Sequence, residues 1–277
     1  MSEDPDNHAR HGVRGILLLF AEGQRPDREA IRNFVNAQPG VALTLDPLSR
    51  PSLFIVNEGD TQQTVANSQA ELRSKERVWV ELLREGLTFD LVGLAPGKPV
   101  DMPEIEYRFD CGKQLSSGRA EAVQLMPGSH LSGGEASLPV LRALLALARD
   151  LVQHFEQVEV VAWPPSSSMI GRRFFESTTT AWLEGGVFPA LGLTAFRQTI
   201  DGGLQSVGLS FLIGQELRIE PKLAIDKAAA TRLGVRLINQ LVLAGPVERA
   251  EQIIGPDGQR LQLDPSANRK FVRVWGG

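Results

Sequence analysis

Apolar residues in this chain occur in short segments, and strand-like and helix-like segments alternate from residue 13 onward. Apolar residues at every second position, or in a short run bounded by turn residues, indicate strands, and a spacing of three and four indicates amphipathic helices. The predicted strands are 13–20, 41–46, 52–58 and 89–95, and the predicted helices are 25–37 and 61–85. The order strand, helix, strand, strand, helix, strand is that of the split βαβ unit of ferredoxin-like domains.

A proline-rich stretch separates this unit from a second alternating block. Residues 96–103 contain three prolines, which indicates a linker. After it, apolar residues along 137–155 recur at helical spacing, and 158–163 is a strand-like run. The glycine-containing turns at 201–203 and 255–258 predict hairpins. We therefore predict an α+β fold of two ferredoxin-like or related units with antiparallel sheets, the second elaborated by extra hairpins.

Chain length supports a division into domains. At 277 residues the chain is near the size at which one hydrophobic core gives way to two. The predicted divisions are a disordered tail 1–12, a ferredoxin-like domain 13–97, a linker or edge strand 98–118 and a larger α+β domain 119–277. Within the larger domain, further helices are predicted at 166–184 and 223–244.

Composition narrows the class of partner. With 42% hydrophobic and 22% charged residues, the chain has the composition of a soluble globular protein. A net charge of −4 gives no overall attraction to phosphate backbones or anionic lipids, so nucleic acid is not the expected partner. The start of the chain lacks the pattern of a signal peptide, and its longest apolar runs are too short to span a bilayer. We therefore expect a cytoplasmic protein without a membrane partner.

Several kinds of chemistry are excluded by missing motifs. Cys111 is the single cysteine, which excludes an intrachain disulfide and thiolate-rich zinc sites, and we expect it to be an inert thiol. No dinucleotide-binding or phosphate-binding glycine motif occurs, and the serine-hydrolase and zinc-protease motifs are also missing. The sequence therefore predicts no cofactor and no metal site.

The segment 207–220 carries three charged residues, Glu216, Arg218 and Glu220, at the end of an apolar run. Six of the seven odd positions from 207 to 219 are apolar, which predicts one long strand, bent at a glycine, with its odd face in the core. The two glutamates are candidate catalytic residues, but their Cα atoms would lie roughly 13 Å apart in such a strand. Arg218 between them would also keep both carboxylates ionised. A solvated, mutually paired strand face is therefore the favoured interpretation.

The same even-numbered face contains small residues. Gly208, Ser210 and Gly214 would leave a shallow strip on which a helix, a partner or a ligand could lie close to the backbone. Together with Arg218 they are the candidate binding residues. Internal helix packing is the favoured explanation of the strip, and a binding groove is the alternative.

His130 is the candidate general base. It lies in a glycine- and serine-rich loop directly after a predicted strand, where catalytic residues are often found. No orienting partner can be identified in the sequence, so an exposed loop histidine is the favoured interpretation. His154, near the end of a predicted helix, is interpreted as structural.

The last strand mixes basic and aromatic residues. Arg269, Lys270 and Arg273 alternate with Phe271 and Trp275, a pattern that can stack on and neutralise single-stranded nucleic acid. Strand alternation predicts that Phe271, Arg273 and Trp275 share one face. A closing sheet strand with a charged outer face is the favoured interpretation, because the chain as a whole is acidic.

The second half of the chain resembles a bacterial family known only as a domain of unknown function. The resemblance is carried by GLSFLIGQELRIEP, by the preceding FFESTTTAWLEGGVFPALGLTAFRQT and by GPDGQRLQL. Members of that family share a Gly-Leu strand, a glycine, an acidic-hydrophobic alternation and a late DG turn. The resemblance implies no reaction and no ligand, so no functional residue is carried over from it.

These observations favour a non-catalytic binding or assembly protein. Its partner would be another protein or a small ligand, and an oligomer is possible. One alternative is a hydrolase or other small-molecule enzyme with a site in the inter-domain cleft near His130. The other alternative is a protein that binds single-stranded nucleic acid through the C-terminal strand.

Overall fold

A computed structural model describes residues 15–47, 78–112, 120–255 and 258–277. In these ranges the chain forms fourteen strands and six α-helices. The strands are β1 (Ile16–Ala21), β2 (Val41–Leu45), β3 (Trp79–Arg84), β4 (Leu87–Val92), β5 (Tyr107–Phe109), β6 (Ala120–Pro127), β7 (Val158–Trp163), β8 (Ser168–Gly171), β9 (Ala195–Gln198), β10 (Leu204–Val207), β11 (Glu216–Ile219), β12 (Glu251–Ile254), β13 (Arg260–Pro265) and β14 (Phe271–Gly276). The helices are α1 (Arg28–Ala37), α2 (Leu138–His154), α3 (Arg172–Leu183), α4 (Ala190–Leu193), α5 (Leu209–Ile213) and α6 (Lys227–Ala244).

The strands form two mainly antiparallel sheets. The first has eight strands in the order β2-β3-β4-β6-β1-β7-β8-β5, and the second has six in the order β12-β13-β14-β11-β10-β9. Within these sheets the parallel pairs are β5–β8 and β11–β14. The predicted α+β class with antiparallel sheets is thus confirmed, whereas this order does not confirm ferredoxin-like units. The first sheet also takes strands from both sides of residues 98–118, and 107–109 within that stretch form its edge strand β5.

The central strand of the first sheet, β1, is buried on both faces. Ile16, Leu18 and Phe20 point into the main core, under helices that include α2. Leu17 and Leu19 belong to a smaller cluster on the opposite face, where Val100 and Cys111 pack against it. A continuous apolar run is expected for a strand covered on both sides. The apolar run from Ile16 to Phe20 is therefore explained by its position in the middle of the sheet.

The inner face of the second sheet packs against α6. The helix begins at Asp226, whose carboxylate accepts hydrogen bonds from the backbone N–H groups of Ala228 and Ala229. Gly234 allows close approach, because a Cβ atom at this position would lie 2.7 Å from the ring of Phe196 on β9. The two sheets share one core, in which the rings of Trp163 and Phe211 meet edge to face at 5.5 Å.

The long strand predicted for 207–220 is wrong. The chain instead forms β10, the five-residue helix α5 and β11. Gly208 and Gly214 flank α5 with φ values of 92° and 76°, a left-handed conformation that glycine adopts without steric cost. These two glycines start and stop a helical turn where the sequence pattern indicated a bent strand.

The helix predicted for 61–85 is also wrong where the structure describes it. Trp79, Leu82 and Leu83 lie in β3, which pairs with β4 through the turn at Glu85 and Gly86. The predicted helix at 166–184 begins later, at Arg172, because 168–171 form β8. Residues 61–77, the strand predicted at 52–58 and the tail 1–12 lie outside the described residues. No helix among the described ranges combines the length and apolar character needed to cross a membrane.

Arg25 ties three segments of the first sheet together. Its Nε donates to Oε2 of Glu121 on β6 at 2.9 Å, Nη1 donates to the carbonyl of Gly93, and Nη2 donates to the carbonyl of Gly97 at 2.9 Å. The hydrogen bond from Arg25 holds the pKa of the Glu121 carboxyl below its ordinary value of 4.5. The ion pair therefore stabilises the fold when Glu121 is ionised.

The Glu121–Arg25 pair predicts a specific loss of stability in acid. Because the folded pKa lies below the unfolded one, the contribution is complete above pH 4.5 and is lost as pH falls through the folded pKa. We expect Glu121→Gln to be less stable than wild type near neutral pH and the difference to shrink in acid. Urea unfolding at several pH values measures this. Glu159→Gln, at an exposed site on β7, is the matched control, and a constant difference between Glu121→Gln and wild type would contradict the prediction.

Candidate functional site

The outer face of the second sheet is the side that faces away from α6. On β14, Val272 and Val274 are buried toward the helix, whereas Phe271, Arg273 and Trp275 lie on the other side. This arrangement agrees with the alternation predicted for the last strand. Pairing between neighbouring strands then places five polar side chains side by side across the outer face. They are Arg197, Gln205, Arg218, Arg273 and Asp264.

Two arginines and two carboxylates are paired on the outer face. Arg273 Nε donates to Glu220 Oε1 at 2.6 Å, and Arg218 Nε lies 3.6 Å from the same oxygen. Nη2 of Arg218 donates to Oδ2 of Asp201 in the turn between β9 and β10. The guanidinium carbon of Arg273 lies 4.4 Å from the centroid of the Trp275 ring, within the range of a cation–π contact. These five side chains form the paired cluster of the outer face.

Two groups of the paired cluster, Arg273 and Asp201, have pKa values shifted in favour of their charged forms. The hydrogen bond from Arg273 to Glu220 raises the pKa of the guanidinium above its ordinary value. The hydroxyl of Thr199 donates to Asp201 and lowers the pKa of that carboxyl, with help from the Gly203 N–H and Arg218. These shifts favour the ionised forms of Arg273 and Asp201. In those forms both groups can make ionic contacts with a bound partner.

One nitrogen of the paired cluster has no hydrogen-bond partner. Arg218 Nε is buried and donates to no acceptor in the described part of the chain. At 3.6 Å its separation from Glu220 is an ionic contact rather than a hydrogen bond. The Arg218 side chain is 26% exposed and that of Glu220 only 7%, so the carboxylate lies beneath a partly accessible guanidinium layer.

Glu216 is the first residue of β11, and its carboxylate lies against the start of α5, not in solvent as the sequence predicted. Oε1 accepts from the backbone N–H of Gly208 at 2.9 Å and from Ser210 N and Oγ at 3.1 and 2.7 Å. Oε2 accepts from the Ser206 hydroxyl and from Leu209 N. A carboxylate at a helix start satisfies N–H groups that have no partner within the helix. These contacts connect the start of β11 to the first turn of α5 and to Ser206 on β10.

The three small residues of the predicted strip do not line one strand face. Gly208 and Gly214 are the residues that flank α5, and Ser210 lies in its first turn, bonded to Glu216. A Cβ atom on Gly208 would lie 2.5 Å from Ser166 Cβ, so Gly208 packs against the turn after β7. Gly208 thus meets the 3₁₀ turn Pro164–Ser166, and Gly214 faces open space.

His130 is an exposed residue in a short 3₁₀ turn, Ser129–Leu131. Its Nδ1 lies 3.4 Å from the hydroxyl of Thr88. In the part of the chain that the structure describes, neither a serine hydroxyl nor a carboxylate is hydrogen-bonded to this ring. The pKa of the Asp90 carboxyl is raised, mainly by burial and next by the nearby Glu81. The electrostatic effect of His130 on Asp90 acts in the opposite direction. Within the described ranges, therefore, no serine–histidine–acid triad is formed around this ring.

The remaining sequence candidates, His154 and Cys111, contact neighbouring residues of the fold. The ring of His154 meets Phe34 at 5.3 Å and Phe155 at 4.8 Å, both edge to face. The half-buried Cys111 thiol donates to the carbonyls of Phe109 and Met169, each at 3.4 Å. Burial raises the pKa of this thiol, which disfavours the reactive thiolate. Among the described residues, no cluster of three or more histidine, cysteine or acidic side chains is arranged to hold a metal ion.

Comparison of the chain with family models, with curated proteins and with solved structures gave no match.

The outer face was only partly predicted from the sequence. Asp201 was interpreted as a turn residue, and its ion pair with Arg218 depends on the pairing of β10 with β11. The sequence signal for this ion pair is the carboxylate of Asp201 in the DGG turn, seventeen residues before Arg218 on the following strand.

Proposed function

We propose that this chain is a non-catalytic binding or assembly protein that contacts a protein partner through the outer face of its second sheet. The observation that carries the proposal is the paired cluster, in which ion pairs hold Arg218 and Arg273 in place beside Trp275. Arginine and tryptophan are enriched among the residues that dominate protein–protein binding energies. Side chains that are already fixed lose less conformational entropy on binding.

Charge balance favours a protein partner over nucleic acid. Arg218 and Arg273 are matched by Asp201 and Glu220 on the same face, and Asp264 lies opposite Arg273 in the neighbouring strand. A phosphate would have to compete with Glu220 for Arg273. Binding to nucleic acid relies on unpaired basic residues that release counterions. Single-stranded nucleic acid therefore remains the second candidate, and it is supported by the shared face of Phe271, Arg273 and Trp275.

Other proposals concern location and relationship. A cytoplasmic location is proposed from the composition alone. A relationship to the bacterial domain of unknown function is proposed from the GLSFLIGQEL segment, and a ferredoxin-like origin of either unit is proposed from the alternation of strands and helices. The hydrolase alternative near His130 has no supporting contact beyond Thr88.

Affinity capture tests the proposed surface. The tagged full-length chain would be compared with an Arg273→Ala, Trp275→Ala double variant in an extract of its own cells, and the retained proteins quantified by mass spectrometry. We expect at least one protein to be retained by wild type and reduced more than about tenfold by the double variant. The matched control is Arg173→Ala, an exposed arginine at the start of α3, which should retain the partner.

Two results would count against the proposed function. An identical set of captured proteins for wild type and the double variant would remove the outer face as the contact surface. Salt-dependent binding of a labelled single-stranded oligonucleotide that Arg269→Ala with Arg273→Ala abolishes would favour the nucleic-acid candidate instead. Anisotropy titrations at low and high salt distinguish these outcomes.

A further inference from the structure

A cleft lies between α6 and the β12–β13 hairpin, on the side of the second sheet opposite the outer face. Its volume is about 300 Å³, at the lower end of the range for small-molecule sites. Leucine side chains form its apolar wall, and Arg232, Arg236 and Gln259 bring polar groups to it. The leucines are Leu223, Leu233 and Leu261.

The two arginines lie one helical turn apart on α6. Residues four apart share a face of a helix, so both guanidinium groups border the same cleft. Both residues are exposed, and neither forms an ion pair or a hydrogen bond within the described ranges. Like charges at this spacing repel by a few tenths of a kcal/mol, roughly 0.2–0.5. An anion between them would convert this repulsion into attraction.

Several arginines of the described residues form salt bridges, whereas Arg232 and Arg236 form none within those ranges. Arg25, Arg84 and Arg273, for example, each donate to an acidic side chain at 2.9 Å or less. The acid closest to the cleft along α6 is Asp226, and its Oδ1 is already bonded to the helix N–H groups of Ala228 and Ala229. Arg232 helps to lower the pKa of Asp226, although the Ala229 N–H is the main cause. Arg232 and Arg236 thus remain available to a ligand.

The chemistry of the lining defines a class of ligand. Guanidinium groups bind carboxylate and phosphate oxygens through charge-assisted hydrogen bonds. The Gln259 side chain can donate and accept, and the three leucines accommodate an apolar body. We propose that this cleft binds a small organic anion, in which one carboxylate or phosphate group is joined to an apolar portion. This site is separate from the outer face and does not depend on the proposed function.

Calorimetric titration of the full chain with three matched probes tests the proposal. Phenylacetate and phenyl phosphate carry the anionic group on an aromatic body, and phenylacetamide is a neutral analogue of the first. We expect saturable binding of at least one anion and much weaker binding of phenylacetamide. Comparison of the two anions shows whether a carboxylate or a phosphate is preferred. Inorganic phosphate, which lacks the apolar body, should bind more weakly than phenyl phosphate.

Variants of the cleft connect the binding to the named residues. Arg232→Gln and Arg236→Gln should each lower the affinity for the preferred anion by at least about tenfold. Arg173→Gln is the matched control on α3 and should bind as wild type does. All three positions are exposed, so circular dichroism and melting temperature should be unchanged. The proposal is overturned if no anion binds saturably, if phenylacetamide binds equally well, or if both cleft variants bind with wild-type affinity.

Discussion

Glu216→Ala is expected to lower the free energy of unfolding by about 3 kcal/mol. The carboxylate accepts from two serine hydroxyls and from the backbone N–H groups of Gly208, Leu209 and Ser210. Alanine would leave these donors without their acceptor, and polar groups that lose a partner in a folded protein carry a desolvation cost. Urea unfolding followed by tryptophan fluorescence measures the effect.

A conservative variant separates charge from shape at this position. Glu216→Gln keeps one acceptor oxygen and loses the other, so we expect roughly half of the alanine effect. Ser210→Ala removes only one of the donors and serves as a mild control. If Glu216→Ala unfolded within about 0.5 kcal/mol of wild type, the carboxylate would not be what holds α5 in place. A catalytic glutamate would show the opposite pattern, with full stability and lost turnover.

Gly208→Ala is expected to destabilise the protein by about 3 kcal/mol, far more than the same change at Gly214. Gly208 has a φ of 92°, and a Cβ atom there would lie 2.5 Å from Ser166 Cβ and 2.8 Å from Ser166 Cα. Ser166 is fully buried and its hydroxyl is bonded to Ser168, so it has little room to move. Backbone strain at a positive φ and steric overlap with Ser166 therefore both contribute to the loss of stability.

Gly214 provides the matched control for that substitution. Its φ is 76°, but a Cβ atom there would meet no neighbour within 4 Å. Gly214→Ala should cost only the left-handed backbone strain of about 1 kcal/mol. Thermal or urea unfolding of both variants measures the difference. Equal effects at the two glycines would mean that the contact between Gly208 and Ser166 contributes little.

The sequence predicted the elements with strong local patterns better than it predicted their arrangement. The helices now assigned as α1, α2 and α6 and the strands β1 and β7 follow from apolar periodicity within a few residues of sequence. The order of the sheets depends instead on distant pairing. β1 lies between β6 and β7, strands that begin more than a hundred residues later, and no local pattern encodes that choice.

The error at 207–220 has a simple geometric origin. Leu209 and Ile213 are both buried, and residues four apart share a face in a strand and also in a helix. The odd-numbered pattern therefore survives the change from strand to helix at Gly208. Two glycines six residues apart were the available signal for a short helical turn. The strand β3 was misread for a related reason, since Trp79 and Leu83 have helical spacing but belong to a hairpin.

The site was less predictable than the fold because its contacts cross between strands. The alternation of β14 correctly put Arg273 and Trp275 on one side. The partner of Arg273 is Glu220, fifty-three residues away in sequence, and the partner of Arg218 lies in a turn. The local sequence pattern shows which side chains face away from the core, but only the order of the strands in the sheet shows which of them contact each other.

The position of β14 has a consequence for how the molecule is made. It lies between β11 and β13, although both are synthesised before it. A nascent chain therefore exposes two unpaired strand edges until residues 271–276 have been added, and such edges invite association with other chains. Slow translation or termination before residues 271–276 would prolong that vulnerable intermediate, even though the six helices of the described ranges would already have been produced.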